Sequence, residues 1–456
     1  MNRPYASRQP KRPRIVVIGA GPTGLAAGLA LAGQSQADWL VLEASARVGG
    51  LSGSLRDERG FVWDMGGHVF FSSWPGFMAL LSGPGRATMV ERRRRAKVFY
   101  SGHWVDFPFQ SHFQTLPPAL AAPLAQGLAQ APGATPGQSF AAWCAAVYGR
   151  PLAEAFFWPF NAKLWQTPLE GMSSLWVDRR VAPADGRADW GPNNHYFYPA
   201  QGGAGRPFVA MARALGDGLR LKAAVEAIDA GARTIHLADG QRLAWDGLIS
   251  TMPLPRLLAM LRPAPPARAL AAAARLKHNA MWLVGLGLAG PMPAEAAAWM
   301  YFPEPEFIFS RLTNMAAHGP ANLPGADARR WRAYLAEVPA PGGSADQPAG
   351  LVQAVREGLI RAGLAQPGER PVSVFTRLLP VAYPAPTLGR EDDLRLLHDF
   401  LEGLGVFSRG RLGGWLYEIG NMDHAARMGQ EAVGRLLGAA GEPLWDEQWA
   451  LLKQSM

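Results

Sequence analysis

Glu43 lies 22 positions beyond Gly21 of the run Gly19-Ala20-Gly21-Pro22-Thr23-Gly24, and this interval constrains the fold more than any other feature of the 456-residue chain. Arg14 to Ile18 (RIVVI) reads as a buried parallel strand, Leu25 to Leu31 as the helix after it, and Trp39 to Leu42 as the next strand. The glycines therefore fall at a strand-to-helix turn. Gly19 permits the tight turn, Gly21 lets backbone approach a pyrophosphate, and Gly24 lets helix and strand pack closely. Thr23 stands in the helix opening that faces the phosphates, and Glu43 ends the second strand, where its carboxylate can accept from ribose hydroxyls.

The following residues select flavin over nicotinamide. Arg47-Val48-Gly49-Gly50-Leu51-Ser52 comes directly after Glu43, and a second glycine pair stands at Asp64-Met65-Gly66-Gly67-His68. Paired glycines let backbone amides run beside a long flat cofactor, whereas a nicotinamide dehydrogenase has no obvious need for the second loop. The arrangement resembles the FAD-binding opening of the amine oxidase and UDP-galactopyranose mutase superfamily.

Composition removes other classes. The formal charge of +9 is matched by Arg3, Arg8, Lys11, Arg12 and Arg14 together with Arg92 to Arg95, so the rest of the chain is balanced and nucleic acid is not an expected partner. Cys144 is the single cysteine, which excludes an intramolecular disulfide. Residues 1–11 read as a disordered basic tail rather than a secretory signal, and the expected location is cytoplasmic. Phe107 to Gly149 lacks Asp, Glu, Lys and Arg, but prolines at 108, 117, 118, 123, 132 and 136 exclude a lipid-spanning helix, so no membrane partner is expected.

The expected fold class is α/β: a Rossmann-like FAD-binding domain with a helical domain and an antiparallel β-sheet domain. The FAD-binding domain is expected to be discontinuous, from 12–92, 201–258 and 404–440, because Trp245 to Pro253 reads as a further buried strand and Gly413 to Met422 as a last glycine-bearing approach before a helix at His424 to Leu437. Ala, Leu, Phe and Trp at helical spacing from Ser139 to Asp178 point to a helical domain, expected to span 113–190. The antiparallel substrate domain takes 93–112, 191–200 and 259–403, with strands in Leu276 to Phe309 and an exposed proline- and glycine-rich loop from Ala336 to Gly350.

Across roughly residues 14 to 440 the chain resembles the eukaryotic-type UDP-galactopyranose mutases. The resemblance is carried by Trp104 to Gln110 (WVDFPFQ), Phe160 to Trp165 (FNAKLW), Asp178 to Pro183 (DRRVAP) and Trp190 to Asn193 (WGPN). It continues through Trp299 to Glu304 (WMYFPE), Ala382 to Leu388 (AYPAPTL) and Ser408 to Arg411 (SRGR) running on to Tyr417, Asn421, Asp423 and His424. It implies an isomerase in which reduced flavin is the nucleophile at the anomeric carbon of a nucleotide-diphosphate hexose, with no net redox change. This agrees with the lack of a metal-ligand cluster, a G-x-S-x-G elbow or a paired-carboxylate motif.

The same resemblance assigns residues. Arg180 and Arg311 match the pair that grips the diphosphate, a task suited to the planar guanidinium fork. Tyr301, Tyr383 and Tyr417 match tyrosines that close around it, with Asn193 beside them; Gln110, Asn161 and Trp165 fall in the substrate segments. Trp299 is expected as a second pocket wall. His68 matches a histidine beside the flavin, and Arg411, Gly420, Asn421 and Met422 fall in the last cofactor-facing segment. Arg94 matches an arginine that receives NAD(P)H as reductant.

Four departures accompany these matches. Phe107 and Phe160 stand where tyrosine is expected near the base, Met422 replaces a polar residue near the flavin, and Ala96 replaces a serine near Arg94. The missing hydroxyls leave a mutase acting on another nucleotide or sugar as an alternative. A flavin amine oxidase or desaturase shares the opening motifs, and a non-catalytic flavin-binding regulator is a third class.

Overall fold

The computed structural model describes residues 12–454 apart from 136, 178, 179, 182, 183, 185–190 and 192. The tail at 1–11 and parts of the Asp178 to Pro183 and Trp190 to Asn193 segments thus lie outside the described residues. Five parallel strands form one sheet, in the order Val406–Ser408, Gly247–Ser250, Arg14–Ile18, Asp38–Leu42, Leu219–Arg220. The apolar run IVVI is explained by this position. Val16 and Ile18 enter one core with Leu248 and Trp245, while Ile15 and Val17 enter the opposite core with Leu25 and Ile249, so both faces of the strand are covered.

The helix Pro22–Ala32 starts with proline in its first turn and carries no acid there, leaving its positive end facing the glycine turn. Gly19 adopts φ +99°, and a Cβ there would stand 2.1 Å from Thr251 Oγ1. At Gly24 a Cβ would lie 1.8 Å from the Gly19 carbonyl oxygen, so this helix can seat on its strand only without a side chain.

A seven-stranded sheet forms the second layer: Ser373–Pro384, His278–Ala289, Trp331–Pro341, Arg311–Asn314, Trp299–Tyr301, Ala96–Tyr100 and His103–Asp106. It is antiparallel except that Trp299–Tyr301 runs parallel to Ala96–Tyr100. The expected loop from Ala336 is corrected here, because Ala336 to Pro341 continue the strand that begins at Trp331. Glu337 turns its carbonyl toward Ser310, and Pro339 and Pro341 share its parity, so their missing N–H groups face the side where the neighbouring strand has ended. Met89–Arg93 and His195–Pro199 pair separately as a two-stranded ribbon.

The helices Phe109–His112, Pro118–Ala129, Phe140–Tyr148 and Trp158–Trp165 pack around Phe113, Tyr148, Phe157 and Trp165. Among the described residues the α-helices of this group end at Trp165, and a single turn follows at Leu169–Gly171. The late helix spans Met422–Leu436 and so begins two residues before the expected start. Among the described residues no helix is long and apolar enough to cross a membrane.

Asp64, in the second glycine segment, is a buried carboxylate with a measurable consequence. It accepts hydrogen bonds from Ser54 Oγ at 2.6 Å, the Tyr198 hydroxyl at 2.6 Å and the Ala204 N–H at 3.0 Å. Burial outweighs these donors and pushes its pKa up to about 6. Since the folded value exceeds the unfolded one, folding favours the protonated acid. That contribution is complete below about pH 4 and is lost as pH rises through about 6. Between pH 4 and 7 the wild type is therefore expected to lose about 2–3 kcal/mol relative to Asp64→Asn, which cannot ionise. Denaturant unfolding of both proteins at several pH values measures this; a constant difference would contradict it.

Candidate active site

Two cavities meet beside the larger sheet, one on the side of the parallel sheet and the other against the helices. The longer cleft, of about 650 Å³, runs from Glu43 past Gly19, Gly21 and Thr23 to Gly50, Leu51 and His68, and its far wall is Arg411, Gly420, Asn421 and Met422. Of the residues expected to hold the cofactor, Gly24, Gly49 and Gly67 do not line it; they shape the backbone behind its wall. Glu43 is already engaged, accepting the Ala20 N–H at 2.8 Å and the Ser45 N–H at 2.9 Å. Its two oxygens retain lone pairs for a ribose. Thr251, Arg256 and Arg377 also line the cleft and were not anticipated from the sequence; Arg377 had a signal, as an isolated charge in the run SVFTRLLPVAYP.

The second cavity, of about 250 Å³, gathers Arg180, Arg311, Tyr301, Tyr383 and Tyr417, with Gln110, Asn161, Trp165 and Asn193 in its wall and Asn421 shared with the cleft. Sheet register makes part of this convergence: Tyr301 lies directly across from Arg311, so ten residues of sequence close into one cross-strand pair. Lys163 holds the intervening loop, its ammonium donating to the carbonyls of Phe302 (2.9 Å), Glu304 (2.5 Å) and Phe307 (2.8 Å). Asn279 joins helix to sheet in a similar way, donating to the Leu164 carbonyl at 2.6 Å and accepting the Tyr383 N–H at 2.9 Å. Neither tether was legible from the sequence.

Several candidate residues have protein partners. Arg180 donates to Asn421 Oδ1 at 2.8 Å and to the Tyr417 carbonyl at 2.9 Å, and its guanidinium stands 4.7 Å from the Tyr417 ring centre. Asn161 is turned inward, donating to the Phe157 carbonyl and accepting from Trp165 Nε1, so its amide holds Trp165 rather than facing the void. Phe107 stacks on Tyr301 at 5.0 Å, with Phe160 edge-on to the same tyrosine at 5.8 Å. Arg94 lies over Phe107 at 5.2 Å and donates to Asn193 Oδ1 at 2.8 Å. Trp299 is not a pocket wall: it shares the sheet face of Tyr301 but sits two residues back along the strand, buried among Tyr196 and His318 behind Gly67 and beyond the reach of the cavity.

A void of about 20 Å³ joins the two spaces, with Leu51, His68 and Arg411 on the cleft side and Arg311, Glu337 and Tyr383 on the other. Burial, with the neighbouring Arg411 and Arg311, lowers the His68 pKa to about 3, so its imidazole is neutral at ordinary pH. Burial also lowers the Arg411 pKa and raises that of Tyr417. For Arg311 burial opposes the charge, but Glu337 outweighs it and the pKa rises. His68 Nδ1 is buried with no protein partner. An orphaned ring nitrogen at the end of a glycine-walled dinucleotide cleft fits a flavin, whose ring edge carries hydrogen-bonding atoms. Among the described residues no group of His, Cys, Asp or Glu could hold a metal ion.

Comparison with known proteins agrees with this geometry. Residues 22–300 match the family of flavin containing amine oxidoreductases. A crystal structure of reduced UDP-galactopyranose mutase is 31% identical over 96% of this chain and 98% of that one, with a TM-score of 0.90. A putative protoporphyrinogen oxidase from Exiguobacterium sp. 255-15 shares 17% identity over 94% of this chain and all of its own, at TM-score 0.71. Putrescine oxidase bound to putrescine shares 19% identity over 94% and 99% of the two chains, at 0.68; these last two show likeness of fold alone. The nucleotide cleft, the arginine- and tyrosine-lined cavity beside it and the end-to-end match together show that this chain is a flavoenzyme belonging to the UDP-galactopyranose mutase family.

Proposed function

We propose that the enzyme is an FAD-dependent mutase that interconverts the pyranose and furanose forms of a nucleotide-diphosphate hexose, most simply UDP-galactose. The observation that carries this reading is the convergence of Arg180 and Arg311 with Tyr301, Tyr383 and Tyr417 in a cavity that meets the cofactor cleft at His68. Two guanidiniums match a dianionic diphosphate and repel a cationic amine, which disfavours an amine oxidase. Bound in the cleft, reduced FAD would supply the nucleophile for the anomeric carbon.

The chain's own residues bind, orient and exclude water. Arg180 and Arg311 grip the diphosphate as it leaves and returns, and the tyrosine hydroxyls add neutral donors. Phe107, Phe160 and Tyr301 make an aromatic slot for the base, and Gln110 stands buried at the same cavity. Neutral His68 acts as a hydrogen-bonding group beside the flavin rather than as a cation. NAD(P)H is the proposed reductant, supported by Arg94 in the same cavity as the diphosphate arginines.

Anaerobic incubation of oxidised and reduced protein with UDP-, dTDP- and GDP-hexoses, followed by chromatographic separation of ring forms, tests this. Ring interconversion of UDP-galactose by the reduced protein alone is expected. Stoichiometric oxygen consumption with an amine, and no ring isomer from any nucleotide sugar, would sink the proposal.

A further inference from the structure

Glu337 is the one acid in the apolar run Ala333 to Pro341 (AYLAEVPAP). Register aligns it with Arg311 on the adjacent strand, so Tyr301, Arg311 and Glu337 form one rung across three strands. Its carboxylate is buried, with 3% of the residue exposed, and receives Arg311 Nη2 on both oxygens at 2.6 and 2.8 Å. Oε1 also accepts the Gly67 N–H at 3.0 Å. Gly67 is confined from its other side: a Cβ there would lie 2.6 Å from Thr313 Oγ1 and 2.8 Å from Trp299 Nε1. One carboxylate thus ties the arginine of the substrate cavity to the loop that carries His68, and it lines both that cavity and the void beneath His68.

We propose that Glu337 is a positioning residue that couples the cofactor loop to the diphosphate-binding arginine. This rests on the function proposed above. A dianion in the cavity draws Arg311 toward itself and away from Glu337, which leaves the carboxylate to its second partner, the Gly67 N–H. A change of charge at the flavin end of the cleft acts through the same bonds in the opposite direction. Linkage makes this coupling reciprocal: flavin reduction changes diphosphate affinity by the factor by which the ligand shifts the reduction equilibrium.

The test is the affinity for UDP of the FAD-loaded protein in its oxidised and reduced states, measured anaerobically, with the flavin midpoint potential recorded with and without UDP. Wild type is expected to show a ratio of about fivefold or more between the states. In Glu337→Gln, whose amide oxygen can still accept from Gly67 but whose charge is gone, the ratio is expected to fall near unity and the UDP-induced potential shift to vanish. Glu337→Asp, one methylene shorter, keeps the charge but cannot span both partners, and is expected to retain only part of the ratio. A wild-type ratio preserved in both variants, or a ratio of one in the wild type, overturns the coupling while leaving the diphosphate site intact. Absence of UDP binding to the wild type in either state overturns the diphosphate reading and the coupling together.

Discussion

Arg180→Ala is expected to lower turnover by about thirty- to several-thousandfold, the cost of about 2–5 kcal/mol that follows removal of one partner from a desolvated, hydrogen-bonded charge pair. Flavin content and thermal midpoint should hardly change, because the groups Arg180 leaves behind, Asn421 Oδ1 and the Tyr417 carbonyl, are neutral. Arg311→Ala should lose as much turnover and also lose stability, since it strands the buried Glu337 carboxylate. Restoring the balance with Glu337→Gln in the Arg311→Ala background should recover stability without recovering turnover. Steady-state kinetics with paired thermal unfolding separates these effects. Near-wild-type turnover in both single variants would remove the diphosphate assignment.

The largest effect on folding is expected at Arg409. This side chain is wholly buried; Nε and Nη2 donate to Glu442 at 2.7 and 2.6 Å, Nη2 donates to Glu402 at 2.6 Å, and the guanidinium lies 4.0 Å from a Trp445 ring centre. Arg409→Met leaves Glu442 buried and uncompensated, for an expected loss of about 3–5 kcal/mol. Adding Glu442→Leu removes the stranded charge and should restore most of that loss. Denaturant unfolding of both single variants and the double variant closes the cycle, and a loss below about 1 kcal/mol in Arg409→Met would show that the pair is not what fixes this region.

Arg409 and Arg411 also show where sequence reading stops. Both belong to the motif SRGR, yet Arg411 lines the cofactor cleft while Arg409 points into the protein. Their directions depend on packing that neither position reveals alone. By contrast, the turn from Gly19 to Gly24 was fully legible, because its geometry demands glycine within a few consecutive residues. The tyrosines and arginines of the second cavity were legible through their motifs, although their meeting depends on strands far apart in sequence. Glu337, Lys163 and Asn279 went unnoticed for the opposite reason: each acts across segments separated by register, and nothing local marks it. Pro339 and Pro341 misled because their effect depends on which edge of the sheet faces a neighbour.

The cofactor cleft takes its walls from Gly19 near one end of the chain and from Ala425 near the other, with Thr251 and Leu379 between. A growing polypeptide therefore cannot assemble this wall until about residue 425 has left the ribosome, even though the glycine turn itself is made within the first few dozen residues. Loading of the finished cleft is therefore expected to wait for its last wall segment, and a product ending at residue 400 would keep the glycine turn but lack Arg411, Gly420, Asn421 and Met422 from the cleft.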